Sequence, residues 1–144
     1  MSVRKILVPI DFSDHSEKVL DYAIDHARAF DASLHIIHAF EVLVYRGVRY
    51  DEVLSSETVE DAEERARKTL EEHLERATKL GVKAESQLVE GEARDVIARV
   101  AKELGVDLVI IGSHGRSRLK HLLLGSVAEH TLRVAPCAVL IVKA

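Results

Sequence analysis

Two hydrophobic periods alternate along the chain. Ile6-Leu7-Val8-Pro9-Ile10 is a short apolar run of strand length. Val19, Leu20, Ala23, Ile24 and Ala27 then recur at helical spacing, and Asp14 with Glu17 three residues on reads as a capping box at the start of that helix. Leu34 to Ala39 is a second strand. From Thr58 to Leu80 the residues Val59, Ala62, Ala66, Leu70, Leu74 and Ala77 form one apolar stripe, with Gly81 as the stop. Val82 to Val89 predicts a third strand, and Gly91 turns it into a third helix, marked by Ala93, Val96, Ile97, Val100 and Leu104 and closed by Gly105. Leu108 to Ile111 predicts strand four, Val127 to Val134 a fourth helix after Gly125-Ser126, and Ala138 to Val142 strand five.

Strands four and five are continuous rather than alternating apolar runs, as parallel strands covered by helices on both faces require. Strand–helix alternation with right-handed crossovers predicts an α/β fold with an open five-stranded parallel sheet. One domain over residues 1–144 accommodates all of it. Glu41 to Glu57 fits neither period. Two readings stay open there: a lid or specificity element, and a plain surface loop.

Composition narrows the function classes. With 20 Lys and Arg against 24 Asp and Glu, the net charge is −4, which argues against non-specific nucleic-acid or anionic-membrane binding. No apolar run approaches the roughly 18 residues that span a bilayer. Met1-Ser2-Val3-Arg4-Lys5 leads straight into a strand, and Cys137 is the only cysteine. Both fit a cytoplasmic protein without internal disulfides. Cys137 itself reads as a small core residue.

Gly112-Ser113-His114-Gly115, nine residues, and then Gly125-Ser126 stand between strand four and helix four. Glycines permit positive φ and close ligand approach, and a helix start offers N–H groups and a positive dipole end, so this is a phosphate cradle in physical terms. The loop lacks the Lys-Ser/Thr ending of a Walker A sequence, and no G-x-G-x-x-G follows strand one. His35 and His38, three apart on a strand, point to opposite faces and cannot chelate a metal together.

The G-x-x-G-x9-G-[S/T] pattern resembles the ATP-binding branch of the universal stress protein family (UspA-like). The resemblance runs through Ile6-Leu7-Val8-Pro9-Ile10-Asp11 with Ser13, Leu34 to Ala39, Gly112 to Arg116, Leu123-Leu124-Gly125-Ser126-Val127-Ala128 and Ala135 to Val142. It implies strand order 3-2-1-4-5, a Rossmann-like architecture of the adenine nucleotide alpha hydrolase type. Asp11 and Gly112, at the ends of strands one and four, then face one crevice at the point where strand order reverses.

Site residues follow from that resemblance. Gly115, Gly125 and Ser126, with surrounding backbone N–H groups, are expected to hold the triphosphate. Asp11 is expected at the ribose or adenine side, because a bare carboxylate repels phosphates; its alternative role is to cap helix one. Ala39 is expected to meet adenine through its backbone, and Pro9, Ile10, Gly112 and Val127 to line the pocket. Ser113 belongs to the same loop, His114 is placed to touch a phosphate, and Arg116 is the foremost of the cations (with Arg118, Lys120 and His121) that could offset phosphate charge.

The expected cofactor is ATP with Mg²⁺, and the expected role a nucleotide-dependent stress-response switch that acts on a protein partner. No evident base or Walker lysine suggests an efficient ATPase, so hydrolysis is at most slow. A nucleotide-independent dimeric interaction protein is the alternative, and an enzyme acting on an adenylylated small molecule is a third reading. Strand five, an uncharged edge in this order, predicts a homodimer.

Overall fold

The structure, a computed structural model, describes residues 2–41, 58–114 and 124–144. Within them the chain runs β1 (Lys5–Pro9), α1 (Asp14–Phe30), β2 (Ser33–Phe40), α2 (Val59–Lys79), β3 (Ala84–Glu90), α3 (Ala93–Leu104), β4 (Leu108–Gly112), α4 (Ser126–Val134) and β5 (Ala138–Val142). All strands are parallel in the order β3-β2-β1-β4-β5. The sheet order is thus the expected one.

Strand periodicity sorts the core into two layers. On one face Ile6, Val8, Ile36 and Ile110 meet Leu20, Ala23 and Ile24 of α1 and Leu70 and Ala77 of α2. On the other, Leu7, Ile37, Val109 and Ile111 meet Val96, Ile97, Val100 and Ala101 of α3, with Val127 of α4 at the margin. The stripes read from helical spacing mostly mark the faces that bury, though on α2 Val59 and Leu74 are only half-buried and His73, outside the predicted stripe, is buried.

Several local expectations are corrected. Asp14 and Glu17 form no capping box: Ser13 is the N-cap residue of α1, without a side-chain cap bond. Glu17 instead reaches across to Arg76 of α2, which also pairs with Asp21. The reciprocal box occurs at α2, where Thr58 Oγ1 accepts from the Asp61 N–H and the Asp61 carboxylate accepts from the Thr58 N–H. Strand three begins at Ala84 rather than Val82, because the Val82 N–H donates to Ala77 O and closes α2. Gly105, at φ +61°, supplies the left-handed turn that ends α3.

Strands four and five differ although their sequences look alike. Leu108–Ile111 are buried, as a strand inside the sheet requires. β5 runs from exposed Ala138 to buried Val142, with Val139 to Ile141 half-buried. An edge strand has a neighbour on one side only, so the expectation that helices cover it fully on both faces does not hold. Its apolar run therefore does not report burial within this chain.

Candidate functional site

Parallel strands all deliver their carboxyl ends to one edge of the sheet, and a cavity of about 840 Å³ opens there. The end of β1 contributes Pro9, Ile10 and Asp11, β2 contributes Ile37 to Phe40, and β4 contributes Ile111 and Gly112. Ser113, His114 and the start of α4 from Gly125 to Ala128 complete the wall beside β4. Of the residues expected from sequence, Pro9, Ile10, Asp11, Ala39, Gly112, Ser113, His114, Gly125, Ser126 and Val127 surround this one cavity. Gly115, Arg116, Arg118, Lys120 and His121 lie outside the described residues, as does the Glu41 to Glu57 stretch apart from Glu41 itself.

Neither described glycine of the motif owes its place to positive φ. Gly125 has φ −68°, and Gly112 is the last residue of β4. What each needs is space. A Cβ on Gly125 would stand 2.9 Å from Ser113 O, and one on Gly112 would stand 2.8 Å from His15 Cδ2. The backbone can therefore fold back on itself: the Gly125 N–H donates to Ser113 O at 2.6 Å. Ser126, Val127 and Ala128 follow at the helix start, where N–H groups have no acceptor one turn earlier in the helix. The positive dipole end of α4 thus faces the cavity.

Asp11 serves the fold as well as the cavity wall. Its Oδ1 accepts from the Ser13 N–H at 3.0 Å and from Ser16 Oγ at 2.7 Å, which fixes the turn from β1 into α1. The turn is completed by Phe12, a non-glycine residue at φ +62°. Such a conformation costs about 1–2 kcal/mol. Stacking of the Phe12 ring on His38, centroids 4.0 Å apart, and packing against Ala62 and Ala66 offset it. The buried His38 donates from Nδ1 to Ile10 O at 2.7 Å, which settles which ring nitrogen carries that proton.

Sequence reasoning missed this aromatic lining: His38, within the Leu34 to Ala39 run, was weighed only as a metal ligand, and Phe12 belongs to no motif. A non-glycine left-handed residue leaves no sequence mark. Sequence reasoning missed two further contributions. Arg65, Lys68, Thr69 and Glu72 of α2 reach the cavity from the far side; their i, i+3, i+4, i+7 spacing beside the buried stripe was the available signal. His15 also lines it and donates from Nε2 to Val142 O at 3.0 Å.

Cys137 is half-buried at the foot of β5. Burial first, and the Asp107 carboxylate second, push its thiol up, which disfavours the reactive thiolate. Among the described residues no group of three or more His, Cys, Asp or Glu could hold a metal ion. Nor is any described helix long and apolar enough to cross a membrane.

Residues 2–143 match the model of the Universal stress protein family. The chain belongs to that family. Universal stress protein YxiE of Bacillus subtilis (strain 168) is 38% identical over 145 residues, a match that covers 96% of this chain and 98% of the relative. Two solved universal stress proteins are nucleotide complexes. One, in complex with cAMP, superposes with a TM-score of 0.75 at 27% identity, covering 99% of this chain and 98% of the other. The other, from Archaeoglobus fulgidus and in complex with dAMP, gives 0.70 at 27% identity, covering 99% and 100%. This universal stress protein shares their fold.

Proposed function

We propose that this protein binds an adenine nucleotide, ATP with Mg²⁺, across the carboxyl ends of β1, β2 and β4, and that occupancy sets the state read by a partner. The observation that carries this reading is the convergence of Asp11, Ala39, Gly112, Ser113 and the Gly125–Val127 turn on one cavity. A ligand at the point where strand order reverses is the general expectation for open α/β sheets. The cAMP and dAMP complexes of related proteins support the adenine class.

In this reading Ala39 meets the base through its backbone, with Pro9, Ile10, Gly112 and Val127 along the walls. Asp11 stands at the ribose or adenine side. Gly115, Gly125 and Ser126 hold the triphosphate with the N–H groups that open α4. Ser113 shapes the loop, and His114 and Arg116 face the phosphate end. Mg²⁺ supplies charge neutralisation on the phosphates. Turnover is at most slow, so the role is a cytoplasmic stress-response switch within a single domain rather than a rapid ATPase. A second copy pairs along β5, the apolar one of the sheet's two edge strands.

Gly125→Val tests the site directly. Its side chain enters the space held by Ser113 O, a backbone atom that cannot swing aside. Equilibrium dialysis with labelled ATP is expected to show at least a tenfold loss of affinity, about 1.4 kcal/mol, with the far-ultraviolet circular dichroism of wild type retained. A folded variant that binds ATP as wild type does would leave the glycine loop purely architectural and favour a nucleotide-independent dimeric protein.

A further inference from the structure

The glycine loop and the open edge of the sheet are tied together through two residues. Ser113, which is 4% exposed, donates its N–H to Val142 O at 2.8 Å and accepts the Ala144 N–H on Oγ at 3.2 Å. Its carbonyl accepts the Gly125 N–H at 2.6 Å. One residue therefore joins the start of α4 to the end of β5. His15 closes the same knot from α1: its Nε2 donates to the same Val142 O, and its ring edge abuts Gly112. One turn further, Lys18 Nζ donates to Lys143 O at 2.9 Å.

The two helices packed against the strand that this knot anchors carry exposed apolar residues. α1 and α4, on opposite faces of the sheet, each pack against β5. Tyr22 and Phe30 on α1, and Leu132 and Val134 on α4, are four of the five exposed large hydrophobic residues among those described. On α1, Tyr22, His26 and Phe30 form a ladder at i, i+4 and i+8, with successive ring centroids 6.3 and 6.0 Å apart. An apolar edge strand between two helices that carry exposed apolar residues suits a self-complementary partner, a second copy related by a two-fold axis.

We propose that Ser113 and His15 couple nucleotide occupancy to this self-association, so that each raises the affinity of the other. The inference rests on the nucleotide reading and the edge pairing given above. Phosphate oxygens bound by the N–H groups that open α4 hold Gly125 in place, and the Gly125 N–H holds the Ser113 carbonyl. That fixes Val142 to Ala144, and with them the alignment of the β5 backbone groups that a second copy must meet. Ordering shared by two binding events is lost once, and linkage makes the coupling equal in both directions.

The test is a pair of measurements on nucleotide-free wild-type protein. Sedimentation velocity across a concentration series, with and without saturating ATP and Mg²⁺, gives the dimer dissociation constant in each state. ATP titrations below and above the dimer midpoint give the reciprocal quantity. The expected result is about a tenfold shift in both. ATP binding with an unmoved dimer midpoint would overturn the coupling and leave the nucleotide reading standing. So would a protein that binds ATP and stays monomeric throughout. Absence of ATP binding at every concentration would remove the nucleotide reading itself.

His15→Phe locates the path, since it keeps a ring beside Gly112 and removes the donor to Val142 O. Its coupling is expected to fall below about threefold. Full coupling in this variant would overturn the part assigned to His15. The wild-type pair decides the coupling whether or not the variant folds.

Discussion

Asp107 sits just ahead of β4 and accepts the backbone N–H groups of Arg4 at 2.9 Å and Lys5 at 3.0 Å on Oδ2. Those two bonds, Arg4's first, hold its carboxyl below the ordinary 3.8. A lowered folded-state value means that the stability it adds is complete above about pH 3.8 and is lost as pH falls through the folded value. Asp107→Ala is therefore expected to lower the urea midpoint at pH 7, with the gap to wild type narrowing below about pH 3.8. A gap that stays constant down to about pH 2 would show that the carboxylate charge contributes nothing. Residue identity was legible at the site and residue cause was not. The positions of Gly112 and Gly125 could be read from their spacing, but their need is room for Ser113 O and His15, a tertiary fact. Phe12 gave no signal, since a left-handed phenylalanine exists only where surrounding contacts hold it there.

Element existence was legible because apolar spacing and burial have the same geometric origin. Helix stripes such as Val19, Leu20, Ala23, Ile24 and Ala27 all reached the core. Boundaries and caps were less so: the Asp14–Glu17 spacing satisfies the capping pattern, yet Glu17 turns to Arg76 on a neighbouring helix that local sequence cannot reveal. Burial also separates equal residue types. Leu20 is fully buried between α1 and the sheet, whereas Leu132 is exposed on α4. Leu20→Ala is expected to cost about 2–5 kcal/mol in chemical denaturation. Leu132→Ala is expected to cost within about 0.5 kcal/mol under conditions where the chain is monomeric. Equal losses at the two positions would contradict the assignment of core and surface.

At the scale of the molecule, five parallel strands place the ends of β1, β2 and β4 together, so residues from distant parts of the chain share one cavity. Strand–helix alternation made the sheet predictable, while its order came from family resemblance, because periodicity does not say which strands adjoin. The shared helical face of Arg65, Lys68, Thr69 and Glu72 could be read from their spacing, but that it forms the cavity's far wall could not, for the same reason. The central claim is that this cavity takes an adenine nucleotide, and a calorimetric titration of nucleotide-free protein with ATP and Mg²⁺ tests it most directly. Saturable binding near micromolar affinity, about −8 kcal/mol, is the predicted result. No saturable heat at several temperatures, with equilibrium dialysis also blank, would contradict it and leave the glycine loop as architecture at the foot of an interaction module.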